Sequence, residues 1–506
     1  MKLVVKNYGA IKEGTIDLSK KLYLFVGYNN TGKTYLTKLI YEIFNPDTLN
    51  DFSNSSYNVS YNEFNYEAAG KLTLTKKLID AILEDYSSYL QEVVIQKFLK
   101  VGTDSSFIYK TIHIAFEYTL EDVKKHELKS GAKIGFAQSK TEIEVYNLTK
   151  AENSLEISFE HLKMEDIFSK LPSNFFDDIP KKRFEEQINS IKNDVSKTVV
   201  VSLLNLLLQN EERSFFLPSN RISILENAEE LKRQEDRRKK ELSELIFELL
   251  ENKSNKQDLI SNLLAKKSES EHPTYINNLI NEVLKLRSSK DDEFVIKGTG
   301  FYDALLPKLI AILGGEIIYE KTAAFSSRVE KFKINQENAN LMRMDLASSS
   351  VNQLSTLFLF LKYWAKPERN FLMIDEPEEN LHPQNQILLI NLLLEFFLTN
   401  NRLLITTHSP LVAEVVNNYL ILGQLENKEK LIEELELPNI DISPTNTGIY
   451  YFQGETVVEH RIENYGTIFT SYKFVQDRVY GLGEHLSDLM FSQLNKSVEN
   501  VSNKRY

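Results

Sequence analysis

The first 46 residues alternate between apolar runs and polar turns and then change to a helical repeat. Residues 1–5 and 22–26 are apolar enough to predict two strands with a turn between them. The apolar residues that follow recur at three- and four-residue steps, the spacing of one helix face. These positions are Leu36, Leu39, Ile40, Ile43 and Phe44. The pattern therefore predicts strand, turn, strand, loop and amphipathic helix.

Residues 47–162 combine three kinds of pattern. Residues 47–65 are rich in Asn, Ser, Tyr and Asp without a helical period, which predicts a loop. Residues 71–100 have a helical period. Three short alternating segments, 112–118, 141–147 and 155–162, predict an antiparallel β meander lying against the first lobe.

Charged helix formers dominate residues 180–290. Breaks at residues 252–255 and 268–273 interrupt the helical period, so we expect helices of modest length rather than a long coiled coil. Two interpretations of this inserted arm stay open: a solvated helical subdomain, or an arm for dimerisation or partner docking. The basic stretch over residues 231–240 fits a solvated helix face better than a DNA-binding patch.

A fully apolar strand is predicted at residues 371–374 and a second strand, with an apolar centre, at 402–407, and polar residues follow each of them. A continuous apolar run indicates a buried parallel strand, and α/β sheets bind ligands at the carboxyl ends of such strands. Both strand ends are therefore candidate sites. Further strands are predicted at 316–319, 329–334, 419–422 and 448–452, and a closing helix at 475–494.

Composition narrows the classes of protein that fit. The chain has 506 residues, enough for two to four domains, and no cysteine, which excludes disulfides and Cys-ligated zinc. Its formal net charge of −12 means that any contact with DNA needs a local basic patch. The sequence starts directly with a strand, and no apolar run is long enough to span a bilayer. We therefore expect a cytoplasmic protein without a membrane partner.

The turn after the strand at 22–26 has the pattern G-x-x-x-x-G-K-T. This is the phosphate-binding P-loop, whose glycines let backbone N–H groups approach a polyphosphate. Lys33 is suited to the β- and γ-phosphates of ATP, and the Thr34 hydroxyl to Mg²⁺. An ordinary glycine turn is the minority interpretation, given the flanking strand and helix. The candidate ATP-binding residues are Gly27, Asn29, Asn30, Thr31, Gly32, Lys33, Thr34 and Tyr35.

Two acidic residues and a histidine supply the remaining chemistry. Asp375 is placed to hold Mg²⁺ through water, and Glu376 to orient and deprotonate the attacking water. His408 follows the strand expected beside that of Asp375, where it would contact the γ-phosphate. The alternatives are an exposed Asp–Glu pair and a structural histidine. We assign catalytic roles to Glu376, His408 and Lys33, and metal roles to Thr34 and Asp375.

Three consecutive serines, Ser348, Ser349 and Ser350, precede a helix with an apolar face. They could be only a helix cap, or they could form an anion site of hydroxyls and free N–H groups. Within one subunit the P-loop already holds the phosphates. An anion site here therefore requires a phosphate from a second subunit.

The order of these motifs resembles a known ATPase group. The P-loop, the serine-headed helix, the Asp-Glu-Pro-Glu-Glu-Asn-Leu-His-Pro run at 375–383 and Thr-Thr-His-Ser-Pro at 406–410 follow one another. This order resembles ABC-type ATPase heads of the SMC and OLD (overcoming lysogenization defect) kind. Within that group the chain is similar to the OLD-like ATPases of bacterial antiphage systems, such as PtuA of Septu and AriA of PARIS. The resemblance covers residues 1–46 and about 315–422 well.

The resemblance implies an α/β fold: a P-loop NTPase with an ABC/SMC-like head, an antiparallel β meander and an inserted helical arm. The head would comprise residues 1–170 and 301–425, the arm residues 171–300, and a C-terminal α/β extension residues 426–506. Two heads would form a homodimer, or a higher homo-oligomer, with two ATP molecules sandwiched between them.

In that dimer each P-loop would face the partner's serine turn, and residues 378–382 would line the seam. The family signature usually has Gly after its Ser, whereas Ser349 follows Ser348 here. Which serine contacts the γ-phosphate therefore stays open, and slow hydrolysis is compatible with this departure. Arg221 ends a segment that resembles a Pro-x-x-Arg element of these ATPases, which gives it a candidate nucleotide or interface role.

Three functions stay open on the sequence. The first is an ATPase that controls a separate effector, a nuclease or toxin, in antiphage defence. Residues 423–506 contain no Asp-x-Asp pair, HNH histidine cluster or Arg-x4-His motif, which favours action through another protein. The second is an SMC-like DNA-repair or DNA-binding ATPase, which would need a long coiled coil and a basic face. The third, a transporter ATPase subunit, matches the insertion and the serines poorly.

Overall fold

The computed structural model describes residues 1–58, 71–98, 111–135, 142–161, 195–210, 213–251, 273–288, 299–319, 325–329, 341–343, 348–426, 428–462 and 466. The strands are β1 (Lys2–Tyr8), β2 (Ile11–Asp17), β3 (Leu22–Gly27), β4 (Lys71–Thr73), β5 (His113–Glu117), β6 (Leu128–Gly135), β7 (Glu142–Lys150), β8 (Glu156–His161), β9 (Arg213–Leu217), β10 (Gly315–Tyr319), β11 (Phe325–Val329), β12 (Leu341–Arg343), β13 (Asn370–Asp375), β14 (Arg402–Thr407), β15 (Thr447–Gln453) and β16 (Thr456–His460).

The helices are α1 (Lys33–Phe44), α2 (Pro46–Ser53), α3 (Lys76–Tyr89), α4 (Ile95–Phe98), α5 (Leu120–Lys124), α6 (Val195–Leu208), α7 (Arg221–Glu251), α8 (Thr274–Ser288), α9 (Leu306–Leu313), α10 (Ser349–Leu359), α11 (Pro383–Leu398), α12 (Pro410–Leu422) and α13 (Lys428–Glu434). Two π-helical turns, Leu90–Val94 and Phe360–Trp364, follow α3 and α10.

Described residues form one large mixed sheet of nine strands in the order β5-β1-β2-β16-β15-β3-β14-β13-β9. The five strands from β15 to β9 run parallel. β3, β13 and β14 are buried along their whole length, as expected for parallel strands covered on both faces. Their carboxyl ends meet at one edge of the sheet, next to the P-loop. The predicted α/β fold is confirmed.

Two hydrophobic cores cover the two faces of this sheet. Along β3, Tyr23 and Phe25 join one core, whereas Leu22, Leu24 and Val26 join the other, following the two-residue period of a strand. The first core takes up the apolar sides of α1, α2, α3 and α6, and the second those of α9 to α12. The P-loop helix and the serine-headed helix therefore pack on opposite faces.

The predicted meander is part of a separate antiparallel sheet in the order β4-β8-β7-β6. β7 and β8 match two of the three predicted segments. The third prediction is wrong about the partner, because residues 113–117 form β5 and pair with β1 in the large sheet. Alternation predicts a half-buried strand, but it does not say which sheet edge the strand joins. β6, at 128–135, was not predicted.

The segment predicted as an inserted arm contributes a strand to the large sheet as well as helices. β9 pairs in parallel with β13 at the edge of the sheet. α7 begins directly afterwards and continues for 31 residues, about 46 Å, longer than the modest helices that were expected. α8 returns to the head, where Asn278 Nδ2 donates to the hydroxyl of Tyr41 on α1 at 2.8 Å.

Two smaller sequence predictions differ from the structure, and a third falls mostly on residues that the structure does not describe. Residues 46–53 form α2 instead of a loop, since Asn45 accepts from the Asp47 N–H at 3.1 Å and Pro46 occupies the first turn. Residues 419–422 continue α12 and are not a strand. β11 covers 325–329, and the strand predicted at 329–334 lies, beyond Val329, outside the described part of the chain and stays a prediction.

The late strands lie inside the large sheet rather than beside it. β15 pairs in parallel with β3, the P-loop strand, and β16 fills the next position of the sheet, between β15 and β2. The predicted strand at 448–452 is confirmed, whereas the predicted helix at 475–494 lies outside the described residues. The four-segment division of the chain stays a prediction. Of the helices in the described ranges, none is long and apolar enough to cross a membrane.

Candidate functional site

The loop between β3 and α1 has a backbone that only its glycines allow. Gly27 and Gly32 have φ values of 144° and 96°. A Cβ on Gly27 would lie 2.5 Å from the Phe452 carbonyl oxygen, and one on Gly32 would lie 2.7 Å from Ile11 Cγ1. Larger residues are therefore excluded at both positions, and the loop keeps the curl that a polyphosphate needs.

Lys33 lies inside this curl, although it is the first residue of α1. Its Nζ donates to the carbonyl oxygens of Gly27 at 2.9 Å and Tyr28 at 2.6 Å. Burial lowers the pKa of Lys33 to about 8, against the opposing effect of nearby carboxylates, of which Glu376 is the strongest. The ammonium group of Lys33 can replace its hydrogen bonds to these carbonyl oxygens with stronger ones to phosphate oxygens.

Thr34 and Asp375 meet across the top of β3 and β13. The Thr34 hydroxyl lies 3.0 and 2.9 Å from the two carboxylate oxygens of Asp375, and Thr406 Oγ1 donates to Oδ1 at 2.5 Å. Burial raises the pKa of Asp375, while the hydrogen bonds from Thr406 and Thr34 lower it. A hydroxyl and a carboxylate with adjacent oxygens fit Mg²⁺, which prefers oxygen ligands.

Glu376 and His408 form an ion pair at the same edge. His408 Nε2 lies 2.5 Å from Glu376 Oε1, and its Nδ1 lies 3.0 Å from the Gly27 carbonyl oxygen and 3.1 Å from Lys33 Nζ. The hydrogen bond between them lowers the pKa of Glu376 and raises that of His408. The backbone of Glu376 has a φ of 48°, in the left-handed region that few residues other than Gly, Asn and Asp adopt. β13 and β14 are neighbours, as the sequence predicted.

Ser348, Ser349 and Ser350 begin α10 on the other face of the sheet. Ser348 is the N-cap: its hydroxyl accepts from the Val351 N–H at 3.4 Å and lies 3.0 Å from that of Ser350. Ser348 and Ser349 are exposed. Among the described residues, these hydrogen bonds stay within the turn. The cap is therefore observed, and an anion site in a second subunit stays a prediction.

The remaining predicted ATP-binding residues lie at the rim of the loop. Asn29 and Asn30 are exposed, and Thr31 Oγ1 donates to the Tyr28 carbonyl at 2.7 Å, which closes the turn. The Tyr35 ring is 39 % exposed and packs beside Gly9 in the turn between β1 and β2. This places an aromatic face next to the loop.

Arg221 was only a weak candidate on the sequence, and the structure places it directly behind the site. It is fully buried, and its guanidinium donates to the carbonyl oxygens of Gln353 at 2.7 Å, Pro218 at 2.9 Å and Asp375 at 3.0 Å. Burial lowers the pKa of Arg221 to about 10, and nearby carboxylates, first Asp375, oppose that shift. Arg221 is a positioning residue, since it holds main chain and not ligand.

Sequence reasoning assigned Glu378 only to the dimer seam and missed the contacts that it and Gln353 make within the subunit. Glu378 is buried and accepts hydrogen bonds from the Thr407 hydroxyl and, at 3.2 Å, the His408 N–H. Gln353 Nε2 donates to Glu379 Oε2 at 3.2 Å, which connects α10 to the acidic run. The sequence did contain an indication for the threonines. Thr406 and Thr407 end the strand that was predicted beside Asp375, directly before His408.

Comparison with known proteins adds a family and a set of structures. A model of the AAA ATPase domain family matches residues 1–413. No curated protein matches the chain.

Three solved structures illustrate the similarity to SMC heads. The Smc head domain with an extended coiled coil bound to the C-terminal domain of ScpA, from Pyrococcus furiosus, is 11% identical, with a TM-score of 0.31 over 94% of this chain and 98% of that chain. The SmcHead bound to the C-winged helix domain of ScpA is 11% identical, with a TM-score of 0.34 over 93% and 98%. The SMC head domain from Thermotoga maritima is 11% identical, with a TM-score of 0.29 over 91% and 98%.

Proposed function

The chain belongs to the AAA ATPase domain family, and from this premise we propose that it binds ATP with Mg²⁺ and hydrolyses it in a dimer that controls a separate effector. One observation carries the ATPase part of the proposal. Lys33, Thr34, Asp375, Glu376 and His408 lie within hydrogen-bond distance of one another or of the P-loop backbone. They come from distant parts of the chain and converge at one edge of the sheet.

The proposed roles follow from the chemistry of these groups. Mg²⁺ held by Thr34 and Asp375 would neutralise charge on the phosphates. Lys33 would move from the loop carbonyls to the phosphate oxygens. Glu376 would accept a proton from the attacking water, since its lowered pKa keeps it ionised. For this it must leave His408, which would then face the γ-phosphate.

Dimerisation is the second part of the proposal. Exposed serine hydroxyls at the start of α10, together with free helical N–H groups, suit an anion. The P-loop helix lies on the opposite face of the sheet, so the phosphate that reaches Ser348–Ser350 would come from the partner subunit. The motif order shared with ABC-type heads supports this arrangement.

Control of an effector in antiphage defence is the third part, and it rests on the motif resemblance to OLD-like ATPases. We propose a nuclease or toxin as the effector, released or activated when ATP closes or opens the dimer. The alternative, an SMC-like DNA-binding ATPase, predicts tight binding of duplex DNA by the chain alone instead of a stable complex with a protein effector.

Two substitutions test the ATPase and the dimer together. Lys33→Ala should abolish ATP binding, because no other side chain in the curl supplies a cation to the phosphates. Glu376→Gln should keep ATP binding, lower turnover by about a hundredfold or more, and trap a closed dimer. Equilibrium binding, phosphate release and light scattering with ATP measure these three properties. Lys12→Ala and Glu429→Gln, at exposed positions, are the matched controls.

Wild-type turnover in Glu376→Gln would refute the base assignment. A strictly monomeric protein that hydrolyses ATP at the full rate would refute the sandwich dimer while leaving the P-loop assignment in place.

A further inference from the structure

A second cavity lies at the opposite edge of the large sheet from the P-loop. Its volume is about 760 Å³, and it is bounded by residues just before β3, β13 and β14, by the end of α6 and by β6. β14 is six residues long, so about 20 Å of strand separates the two edges. We call it the basal cavity and define it by Lys21, Lys129, Ser202, Gln209, Arg369 and Asn400.

The charge of the basal cavity differs in sign from that of the chain. Three cationic side chains, Lys21, Lys129 and Arg369, line it against one carboxylate, Glu127, in a protein with a formal net charge of −12. Glu127 approaches Lys129 at 3.9 Å, and both are exposed. The cavity therefore offers a local positive potential where the whole molecule repels anions.

Polar groups that can both donate and accept fill most of the remaining wall. Four carboxamides and two serines line the cavity beside the cations. Two of the carboxamides also donate to the protein itself, Asn400 to Glu368 and Asn210 to the Phe44 carbonyl, both at 3.0 Å. Carboxamides match the edges of heterocyclic bases and sugar hydroxyls as well as phosphate oxygens. The volume exceeds that of an inorganic anion and lies in the range of small-molecule sites.

The wall is built on fixed, uncommon backbone. Gln209, Arg369 and Asn400 have φ values of 52°, 59° and 59°, and all three line the cavity. The Arg369 N–H donates to the Asn400 carbonyl at 3.1 Å, and the Arg369 carbonyl accepts from the Arg213 N–H at 2.9 Å. Residues other than glycine adopt this left-handed backbone conformation only where the surrounding structure stabilises it. Such residues are frequent at binding sites.

We propose that the basal cavity binds a phosphorylated small molecule of nucleotide size, at a site separate from the ATP site. The ligand phosphate lies among Lys21, Lys129 and Arg369, and its polar body lies against the carboxamides. The cavity lies between the antiparallel sheet and the large sheet, beside α6, whose Ser202 hydroxyl donates to Ser130 of β6 at 2.8 Å. Binding therefore stiffens the contact between the two sheets.

Equilibrium dialysis with 5′-AMP tests the proposal in the full-length Lys33→Ala protein, whose P-loop lacks its phosphate-binding cation. We expect one saturable site per chain, with weaker binding as salt concentration rises. Lys21→Gln combined with Arg369→Gln should weaken AMP binding about tenfold or more, since each cation contributes a charge-assisted contact. Lys129→Glu, on an exposed strand position, should do the same without touching the loops. Lys71→Gln, on the same small sheet, is the control.

Absence of saturable AMP binding in a folded protein would overturn the proposal, as would binding that both sets of substitutions leave unchanged. Binding of a 5′-phosphorylated single-stranded oligonucleotide without AMP binding would overturn it in favour of a nucleic-acid surface. Thermal unfolding checks that the variants are folded. Because the P-loop is disabled throughout, failure of the proposed ATPase function would not alter these results.

Discussion

A fully buried guanidinium lies behind the acidic end of β13 and joins three parts of the chain. Arg221 begins α7, while its acceptors belong to the turn after β9, to α10 and to β13 itself. It therefore fixes the main chain of Asp375 and of the serine-headed helix relative to each other. Burying a charged group costs free energy, which hydrogen bonds must offset. The three hydrogen bonds to main chain give Arg221 that compensation and indicate a structural role.

Arg221→Met keeps the volume of the side chain and removes its donors. Three carbonyls would each lose the hydrogen bond from the guanidinium, although Pro218 keeps that from the main-chain N–H of residue 221. We expect the free energy of unfolding to fall by about 3 kcal/mol. ATP turnover should fall as well, because Asp375 loses its support. Urea unfolding and phosphate release are the measurements. Arg237→Met, at an exposed position on the same helix, controls for helix propensity; equal effects of the two substitutions would contradict the assignment.

The pair of Glu376 and His408 gives the site a dependence on pH. Its hydrogen bond raises the pKa of His408 above 6.5 and lowers that of Glu376 below 4.5. The histidine's contribution to stability is full below pH 6.5 and is lost as the pH rises through its raised pKa. The glutamate's contribution is present above pH 4.5 and is lost as the pH falls through its lowered pKa. The pair therefore stabilises the free protein most between these limits.

His408→Asn should remove this dependence. We expect wild type to exceed the variant in free energy of unfolding by about 1 kcal/mol or less near pH 6, because both side chains are partly exposed. The difference should shrink by pH 9. Urea titrations at the two pH values measure it, with Glu376→Gln and the double variant completing a cycle. A difference that does not change with pH would show that the pair is not ionised.

At this scale the sequence predicted the site where the chemistry is local. Gly27, Gly32, Lys33 and Thr34 occupy one short motif, and their geometry follows from it. Arg221 could not be predicted with the same certainty, because its role depends on three carbonyl groups that are far apart in sequence. A side chain that binds main chain leaves no residue pattern at its partners.

Among the elements, α10 connects the exposed serine turn to the interior of the site. Gln353 is almost fully buried on its first turns, donates to Glu379 and accepts from Arg221 through its carbonyl. In the proposed dimer, a displacement of the serine turn would reach the acidic run that follows β13 through these two hydrogen bonds. This is the path by which a partner's phosphate would affect the hydrolytic residues of this subunit.

Ser348→Arg tests the proposed role of α10 in a second subunit. A long cation at the serine turn should block closure around the partner's ATP and lower hydrolysis about tenfold or more, while each subunit still binds nucleotide. Filter-binding and phosphate release separate the two properties. Loss of the cap alone costs about 1 kcal/mol, so Ser348→Asn, which keeps the cap, serves as the stability control. Normal hydrolysis by Ser348→Arg would exclude the turn from the site.

Secondary-structure prediction succeeded where the apolar pattern was clear. It failed where the apolar residues were few or lay within a segment of another composition. β13 and β14 have continuous apolar centres, of four and three residues, and both were predicted as neighbouring strands. α2 was missed because only Leu49 and Phe52 of its residues are large and buried, too few for a visible period. β9 was not identified as a strand because it is only five residues long and lies within a segment dominated by charged helix formers.

For the whole molecule, the distribution of charge decides between the proposed partners. A formal net charge of −12 disfavours tight binding to DNA by the chain alone. A protein effector does not require a basic face. The surface of α7 has side chains of both charges, which suits contact with a protein as well as exposure to solvent. The motif resemblance and the charge therefore favour the same interpretation.

Co-purification with the product of a neighbouring gene tests the choice. We expect a stable complex that survives about 0.5 M salt, and no binding of duplex DNA by the isolated chain at physiological ionic strength. Size exclusion with light scattering and fluorescence anisotropy measure the two. Tight DNA binding that weakens steeply with salt, without a protein partner, would favour the DNA-binding ATPase instead.

The position of β15 has a consequence for how the protein is made. Synthesis proceeds from the N-terminus, so β3 and the P-loop emerge long before residues 447–453. Until then β3 lacks its neighbour, and the Phe452 carbonyl that lies against Gly27 is missing. A nascent chain therefore cannot complete its nucleotide cradle on the ribosome until β15 has been translated, which delays ATP capture well beyond the synthesis of the P-loop itself.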